Sequence, residues 1–402
     1  MCLVVVIHCA ALNPADLDPI ARHKEIFPRV SSIRTIVGSS TGLPGCKLQR
    51  CSLCDDPDFN VSVCHTSVRP PRKRQPSTYT NSNDFDSISK ELEGDDIYDV
   101  PVGISTDRGG KPNQEDVYFI GGKVAKRLTL NGYSSSVSGC FGVFDGHAGD
   151  RASRYCAEKI FPLILEQLAQ RVVVKDAITS AVRALDADFC TYARRASNSA
   201  LSASARHSHN RSFATDDGST LLIALVRDGF LHVGNVGDSR AVVVTRFGDA
   251  IAMSDDQKPN RKDERRRLEA RGAFVTGKPD FMYRIWPLKK IIDVPRVNGQ
   301  LAMSRSIGDV TLKPYISCDP EIQSRKLSKN DRFLIMATDG LWDVVSSKRA
   351  AKIAICYKDP QAVANALVGL ALQRHTCDNI TVLVVKLEAY DFNSSRTDLS
   401  SF

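Results

Sequence analysis

The chain has 402 residues, 42% of them hydrophobic and 25% charged, with a formal net charge of +8. These values are typical of one large globular domain or two smaller ones and exclude a wholly disordered chain. The basic runs at 69–74 and 265–267 contain no aromatic residues and no apolar run reaches the roughly 20 residues of a membrane-spanning helix, so we expect no nucleic-acid binding and no transmembrane segment.

Residues 1–96 are predicted to be a disordered, Cys-containing tail and linker. Six of the twelve cysteines lie in the first 64 residues, and residues 66–96 have the polar, Pro- and Ser-rich composition of a linker. The apolar start is short and has no basic segment before it, so a secretion signal is not expected. Cys51, Cys54, Cys64 and His65 could hold a zinc ion, or the segment could be flexible and bind nothing.

From residue 97 onwards, β-rich runs alternate with helical patterns. The predicted strands, in chain order, lie at 116–122, 138–145, 219–226, 229–236, 240–247, 332–339 and 380–387. The predicted helices lie at about 149–170, 174–195, 261–271, 346–357 and 360–373. Asn260 is expected to open the third helix and Gly272 to close it.

Tight turns between neighbouring strands predict antiparallel sheets, and the turn at 227–229 is typical of a hairpin. Long helices fall between the strands in pairs, which indicates a sheet sandwich covered by helices. This domain is predicted to extend over 97–390, with a polar surface insert at about 194–218 and a short tail at 391–402.

Acidic residues recur where these strands begin or end. The acids in such positions are Glu115, Asp116, Asp145, Asp339 and Asp378. Carboxylates that converge at strand ends repel one another unless a multivalent cation compensates their charge. Oxygen ligands without a nearby Cys or paired His favour Mg²⁺ or Mn²⁺ over Zn²⁺. Gly146, which follows Asp145, lets the backbone turn tightly and bring its carbonyl close to a metal.

Seven stretches carry a resemblance to a known family. They are KPNQED (111–116), FGVFDGHAG (141–149), GST (218–220), VGNVGDSRAV (233–242), LAMSRSIGD (301–309), ATDGLWDV (337–344) and DNITVLVV (378–385). The chain resembles the metal-dependent protein serine/threonine phosphatases of type 2C (the PPM family) between residues 97 and 387. The resemblance implies an α+β fold, a four-layer α-β-β-α sandwich of two antiparallel β-sheets flanked by pairs of helices, with metals at one end.

The resemblance also implies two Mg²⁺ or Mn²⁺ ions per subunit. Asp145 would bridge both ions, Asp339 and Asp378 would complete one, and Glu115 with the Gly146 carbonyl would serve the other. A hydroxide that bridges two such ions, which lie about 3.5–4 Å apart in two-metal sites, would attack phosphorus directly.

Three further residues take roles by the same resemblance. Asp116 would orient a metal-bound water. His147 would protonate the leaving Ser or Thr alkoxide as general acid, and the alternative is a histidine that only caps a turn. Asp238 would bind a third, weaker metal, and its alternative role is to form a turn before Ser239.

Lys111 departs from the family pattern, which commonly has an Arg at this position to grip the substrate phosphate. Lysine is a point charge without the bidentate fork of a guanidinium group. Arg108 stands three residues earlier and could reach the phosphate instead. Either the phosphate grip is weaker than in the family, or the loop is shifted.

The expected function is dephosphorylation of phosphoserine and phosphothreonine in protein substrates by a soluble monomer. We expect it in the cytoplasm, the nucleus or both, and RPPRKR (69–74) is a weak nuclear-import candidate. One alternative is a catalytically weak or inactive binding protein with the phosphatase fold, which missing metal acids would indicate, yet Asp145, Asp339 and Asp378 are present. A phosphohydrolase of small molecules would use the same chemistry.

Overall fold

The computed structural model describes residues 97–98, 100–121, 124–125, 128–130, 133–135, 137–203, 216–277 and 294–390. The predicted tails at 1–96 and 391–402 lie outside the described residues, and so does the zinc candidate formed by Cys51, Cys54, Cys64 and His65. The zinc site and the domain boundary near residue 97 therefore stay predictions.

Strands and helices alternate along the described part of the chain. The strands are β1 (Ile97–Tyr98), β2 (Val102–Asp107), β3 (Val117–Ile120), β4 (Val124–Ala125), β5 (Leu128–Leu130), β6 (Tyr133–Ser135), β7 (Val137–Phe144), β8 (Gly146–His147), β9 (Gly218–Ser219), β10 (Leu221–Arg227), β11 (Phe230–Val236), β12 (Arg240–Thr245), β13 (Ala250–Ala252), β14 (Ile307–Gly308), β15 (Glu321–Lys326), β16 (Asp331–Ala337) and β17 (Ile380–Lys386). The helices are α1 (Arg151–Ala169), α2 (Val174–Ala203), α3 (Lys262–Ala270), α4 (Asp339–Trp342), α5 (Ser347–Ala354) and α6 (Pro360–Gln373), with 3₁₀ turns at Val310–Leu312 and Leu387–Ala389. Among the described helices, none combines the length and the apolar character that crossing a lipid bilayer requires.

Two five-stranded antiparallel sheets form the centre of the fold. The first sheet has the strand order β15–β11–β10–β7–β3, and the second has the order β13–β12–β16–β17–β2. A small three-stranded sheet, β14–β9–β8, places Gly146–His147 beside Gly218–Ser219. The hairpin predicted at 227–229 is confirmed, because Asp228 and Gly229 adopt positive φ angles of 52° and 75° between β10 and β11.

Side chains that alternate along each strand build three stacked cores. On β7, Phe144 packs with α1 and α2, whereas Val143 packs between the two sheets. On β16, Ile335 packs with α5 and α6, whereas Met336 packs between the sheets. Apolar residues on both faces of both sheets therefore produce the predicted α+β fold, and the four-layer α-β-β-α sandwich of two antiparallel β-sheets flanked by pairs of helices is confirmed.

Helix ends follow local sequence signals, with one exception. At the start of α6, Asp359 accepts hydrogen bonds from the backbone N–H groups of Gln361 and Ala362, and Pro360 occupies the first turn. At the end of α3, Gly272 has a φ of +87°, as a closing glycine should. The prediction that Asn260 opens α3 is wrong, because Arg261 occupies the N-cap position. The side chain of Arg261 makes no capping hydrogen bond.

The helix α2 extends to Ala203 and so enters the polar insert predicted at 194–218. Residues 194–203 include several alanines and arginines and neither Gly nor Pro, so nothing in their composition stops a helix. The polarity of this stretch predicts a loop, but the same residue types are compatible with a helix. Residues 204–215 of the insert lie outside the described residues.

Glu264 on α3 is the buried centre of an ion-pair network. Only 1% of the residue is exposed, and its carboxylate accepts hydrogen bonds from Arg305 (2.5 Å), Arg267 (2.8 Å) and Ser304 (2.6 Å). Burial alone would raise the pKa of Glu264, but these three donors outweigh it and lower the pKa to about 2. Because Arg305 also binds Glu321 at 2.9 Å, the network fastens α3 to the edge strand β15.

We expect Glu264→Gln to lower the free energy of unfolding at pH 7 by about 3 kcal/mol, the equivalent of its pKa displacement. The pKa of Glu264 is about 2 in the folded protein and 4.5 in the unfolded chain. The stabilisation is therefore complete above pH 4.5 and disappears as the pH falls towards 2. Urea unfolding of both proteins between pH 7 and pH 3 measures the difference. Glu269→Gln, which removes an exposed partner of Arg265 on the same helix, should change stability little. A difference in stability that does not depend on pH would contradict this assignment.

Candidate active site

Three of the predicted acids lie at one end of the first sheet. The last residue of β7, Phe144, pairs with the first residue of β3, Val117, so Asp145 and Asp116 are neighbours just beyond the sheet. Glu115 is adjacent in sequence to Asp116. In an antiparallel pair, the end of one strand lies beside the start of the next, and acids after β7 and before β3 therefore meet.

The second sheet contributes two further acids in the same way. Its strand β16 ends at Ala337, which pairs with Val382 near the start of β17. Asp339 follows β16 and begins the short helix α4, and Asp378 precedes β17. The two acids are therefore brought to one end of this sheet.

Thr338 and Asn379 connect the acids of the two sheets, and neither was predicted from the sequence. The hydroxyl of Thr338 donates to Asp116 Oδ2 at 3.0 Å and accepts the backbone N–H of Thr381 at 3.0 Å. The side-chain oxygen of Asn379 accepts the backbone N–H of Glu115 at 2.8 Å. These bonds fix the ends of the sheets against each other and so fix the spacing of the acids.

Desolvation and mutual repulsion, in that order, determine the electrostatics of this end. Burial, together with the charges of Asp116, Asp339, Asp238 and Asp378, raises the pKa of Asp145 well above its ordinary value. Burial also raises the pKa of Asp116 to about 7, even though two threonine hydroxyls oppose the shift. The acids that the sequence predicts as ligands therefore share one electrostatic environment.

Two lysines lie among these acids. The ammonium of Lys258 is 2.5 Å from Asp238 Oδ2 and 3.7 Å from Asp339 Oδ2. Although burial lowers the pKa of Lys258, attraction to these carboxylates outweighs burial and raises it. The ammonium of Lys111 is 2.9 Å from Asp378 Oδ1. Lys258 was not predicted from the sequence, although it stands in the DDQKP stretch (255–259) that follows β13.

Arg108 does not reach the acids. Its guanidinium donates to the backbone carbonyl of Pro112 at 3.0 Å, and the backbone carbonyl of Arg108 accepts the N–H of Lys111 at 3.2 Å. The loop between β2 and β3 is thereby closed upon itself. Lys111, with 47% of its side chain exposed, is the basic group of this loop that lies beside a predicted ligand.

The donor atoms at this end fit a hard divalent cation. Asp116 Oδ1 and Asp238 Oδ1 are buried and have no hydrogen-bond partner among the described residues. A Cβ atom at Gly146 would lie 2.6 Å from the Glu115 carbonyl oxygen and 2.8 Å from Ser153 Oγ, so only glycine fits there. Carboxylate and carbonyl oxygens are the ligands that Mg²⁺ and Mn²⁺ prefer.

The tightest group of acids in the described part of the chain lies elsewhere. One oxygen each of Asp263, Glu264 and Glu321 lies within 4.8 Å of the others, whereas no three of the predicted ligands approach that closely. Arg261 donates to Asp263 and to Glu321, and Arg305 donates to Glu264 and to Glu321. We interpret this trio as part of the structural ion-pair network, because guanidinium groups already hold its oxygens.

His147 ends β8, two residues after Asp145. Its Nε2 atom is 2.9 Å and 3.0 Å from the two carboxylate oxygens of Asp309, while its Nδ1 atom is buried and has no hydrogen-bond partner in the described residues. Burial lowers the pKa of His147, but the charge and hydrogen bond of Asp309 outweigh burial and raise it. Asp309 was not predicted as a site residue, although it is the last residue of the LAMSRSIGD stretch.

Comparison with known proteins identifies the family. The family model described as Protein phosphatase 2C matches residues 102–380. The chain is 38% identical over 287 residues to "Probable protein phosphatase 2C member 13, mitochondrial" of Oryza sativa subsp. japonica, which covers 71% of this chain and 68% of that protein. It is 37% identical over 300 residues to "Probable protein phosphatase 2C 69" of Arabidopsis thaliana, which covers 74% of this chain and 73% of that protein.

A solved structure agrees with this result at the level of the fold. The crystal structure of serine-threonine phosphatase 2C from Toxoplasma gondii superposes with a TM-score of 0.53 at 24% identity, over 72% of this chain and 98% of that one. The matched range 102–380 contains every strand of the two five-stranded sheets except most of β17. It also contains all the predicted acids. The chain belongs to the protein phosphatase 2C family of metal-dependent phosphoprotein phosphatases, whose members depend on Mg²⁺ or Mn²⁺.

Proposed function

We propose that the chain hydrolyses phosphoserine and phosphothreonine in protein substrates at the end of the sandwich where Asp145, Asp339 and Asp378 lie. The observation that carries this proposal is the electrostatic environment of Asp145, a half-buried acid whose pKa is raised by desolvation and by four acidic neighbours. Concentrated negative charge of this kind favours binding of divalent cations, and phosphate transfer needs such cations to neutralise the oxygens of the reacting group.

In this proposal the residues hold two Mg²⁺ or Mn²⁺ ions. Asp145 would contribute to both sites, Asp339 and Asp378 would hold one ion, and Glu115 with the Gly146 carbonyl would hold the other. When bound, the two ions would supply a hydroxide near neutral pH as the nucleophile. Support comes from the hard oxygen donors and from the absence of space for a side chain at position 146.

Asp116 and Asp238 would act around these ligands. Asp116 Oδ2 accepts the Thr338 hydroxyl, which leaves Oδ1 to accept a hydrogen bond from the attacking water. Asp238 Oδ1 likewise lacks a partner among the described residues and would contribute to a third, weaker cation site. Lys258 binds the other oxygen of Asp238, so a cation there would share this carboxylate with an ammonium group.

Two basic groups would handle the substrate. Lys111 would attract the phosphate as a point charge, since its ammonium is beside Asp378 and partly exposed. His147 would donate a proton to the serine or threonine oxygen as the P–O bond breaks. A leaving alkoxide is strongly basic, and this proton avoids its release as an anion.

Asp145→Asn tests the metal assignment in the full chain. We expect Mn²⁺-dependent turnover of a phosphothreonine peptide to fall by about 10³-fold or more, as the loss of several kcal/mol of transition-state stabilisation implies. In EDTA the same variant should unfold at a higher temperature than the wild type, because it removes one desolvated charge from a group of like charges.

Phosphate release and thermal unfolding in EDTA measure these two effects, and calorimetry measures the weaker Mn²⁺ binding that the ligand assignment also requires. Asp255→Asn, at the exposed first acid of the DDQKP stretch (255–259), is the control and should change none of them. Retained metal-dependent turnover in the Asp145→Asn variant would refute the ligand assignment. A lower unfolding temperature in EDTA would refute the role assigned to repulsion.

Lys111 and Arg108 can be separated by a matched pair of substitutions. We expect Lys111→Ala to raise KM for the phosphopeptide by about tenfold, the effect of losing one charge-assisted contact to the phosphate. Lys111→Arg should lower KM below the wild-type value, since a guanidinium can bind two phosphate oxygens. Arg108→Ala should leave KM almost unchanged, because Arg108 holds the Pro112 carbonyl. The reverse order of the two alanine variants would assign the phosphate grip to Arg108.

A further inference from the structure

We propose that Arg151 is a specificity-determining residue, whose guanidinium binds a carboxylate beside the phosphorylated residue of the substrate. This inference rests on the proposed function. It adds a substrate class to that function, namely phosphoproteins in which acidic residues flank the phosphoserine or phosphothreonine.

Arg151 lies next to residues that the proposed function places at the reaction. It is the first residue of α1, which follows the strand β8 formed by Gly146 and His147. Its partner Asp217 stands directly before β9, and β9 pairs with β8 in an antiparallel ladder. The side chains of Arg151 and Asp217 therefore meet near the strand that contains a proposed metal ligand and the proposed general acid.

A buried carboxylate fixes the position of Arg151. Asp217 is 1% exposed, and its Oδ2 atom accepts a hydrogen bond from Arg151 Nε at 2.5 Å. The backbone carbonyl of Asp217 accepts the N–H of Asp309 at 3.0 Å. Gly149, with a φ of +133°, leaves room for the carboxylate, because a Cβ atom there would lie 3.1 Å from Asp217 Oδ2. A guanidinium anchored in this way loses less conformational entropy when it binds a ligand.

The terminal nitrogens of the same guanidinium are unused donors. The side chain of Arg151 is 39% exposed, and its Nη1 and Nη2 atoms have no hydrogen-bond partner among the described residues. Arg240, at the start of β12, differs in this respect, since its Nη1 donates to Ser347 and its Nη2 donates to Asp256. Arg151 therefore keeps a pair of donors for a ligand that arrives from solvent.

A carboxylate is the substrate group that these donors fit. Two nitrogens of a guanidinium bind the two oxygens of a carboxylate in a planar, bidentate arrangement. In the proposed function the reacting phosphate is held by the metal ions and Lys111, so Arg151 serves an acidic side chain near it. Because Asp217 cancels part of the positive charge and the site is partly exposed, we expect a preference of about fivefold and not a strict requirement.

Two phosphothreonine peptides that differ only in charge test the inference in the full chain with Mn²⁺. One peptide carries glutamates on both sides of the phosphothreonine, and the other carries glutamines at the same positions. We expect kcat/KM of the wild type to be about fivefold higher for the glutamate peptide. Arg151→Gln should remove this preference. It should lower kcat/KM far less for the glutamine peptide and for p-nitrophenyl phosphate, which has no flanking residues.

A neutral background separates recognition from stability. Arg151→Gln leaves the buried carboxylate of Asp217 without its partner, which destabilises the fold. In Asp217→Asn the side-chain oxygen still accepts the Nε–H group, so this variant should retain the preference. The double variant Arg151→Gln/Asp217→Asn should lose it. Thermal unfolding and calorimetric Mn²⁺ binding show whether each variant keeps its fold and its metal site.

Arg183→Gln is the matched control. Arg183 is 62% exposed and donates its Nε–H group to Asp319 at 2.7 Å, so its contact resembles that of Arg151. It belongs to α2, and its partner lies just before β15. The preference of this variant for the glutamate peptide should equal that of the wild type.

The outcomes separate this inference from the proposed function. A wild type that hydrolyses both peptides equally well would overturn the role of Arg151 and leave the proposed function. Equal losses on both peptides and on p-nitrophenyl phosphate in the Arg151→Gln variant would also overturn it and would indicate a contact with the reacting phosphate. A preference retained in the double variant would overturn it as well. A wild type without turnover of either peptide would overturn the proposed function itself.

Discussion

The gathering of buried and half-buried carboxylates at one end of the sandwich is the constraint on which the rest of this structure depends. Burial and four acidic neighbours raise the pKa of Asp145, and burial with Asp238 raises the pKa of Asp339. A fold that gathers these acids needs stabilising contacts that outweigh the cost of desolvating and repelling charges. The two sheets do so with the sandwich core between them and with the bonds of Thr338 and Asn379 at their ends.

The antiparallel topology explains why much of the fold and the acids could be predicted from sequence. Both faces of each sheet are buried, so the central strands are long apolar runs, such as 380–387 for β17. Runs of this length and composition can be recognised as strands from the sequence alone. An acid directly after or before such a run is placed at a sheet end by the strand itself. The positions of Asp145, Asp339 and Asp378 at the sheet ends could therefore be predicted without knowledge of the tertiary contacts.

Elements and residues that depend on distant partners could not be predicted in this way. The strand β15 reads EIQSRK, a polar edge whose strand character comes from pairing with β11. Lys258 meets Asp238 across 20 residues, and Asp309 meets His147 across 162. No periodicity or spacing encodes those contacts. They arise only once the small sheet β14–β9–β8 and the turn after β13 are assembled.

Lys258 shows how the chain can fold around its acids and still attract cations. A fixed ammonium beside Asp238 and Asp339 cancels part of their charge, and Lys111 does the same for Asp378 at the surface. Asp145 and Asp116 have no comparable ion pair in the described part of the chain, and desolvation together with neighbouring acids raises the pKa of each. The chain thus compensates Asp238, Asp339 and Asp378 permanently and leaves the central acids, Asp145 and Asp116, undercompensated. Because a buried charge without a partner is costly, the central acids are where a divalent cation would contribute most to stability.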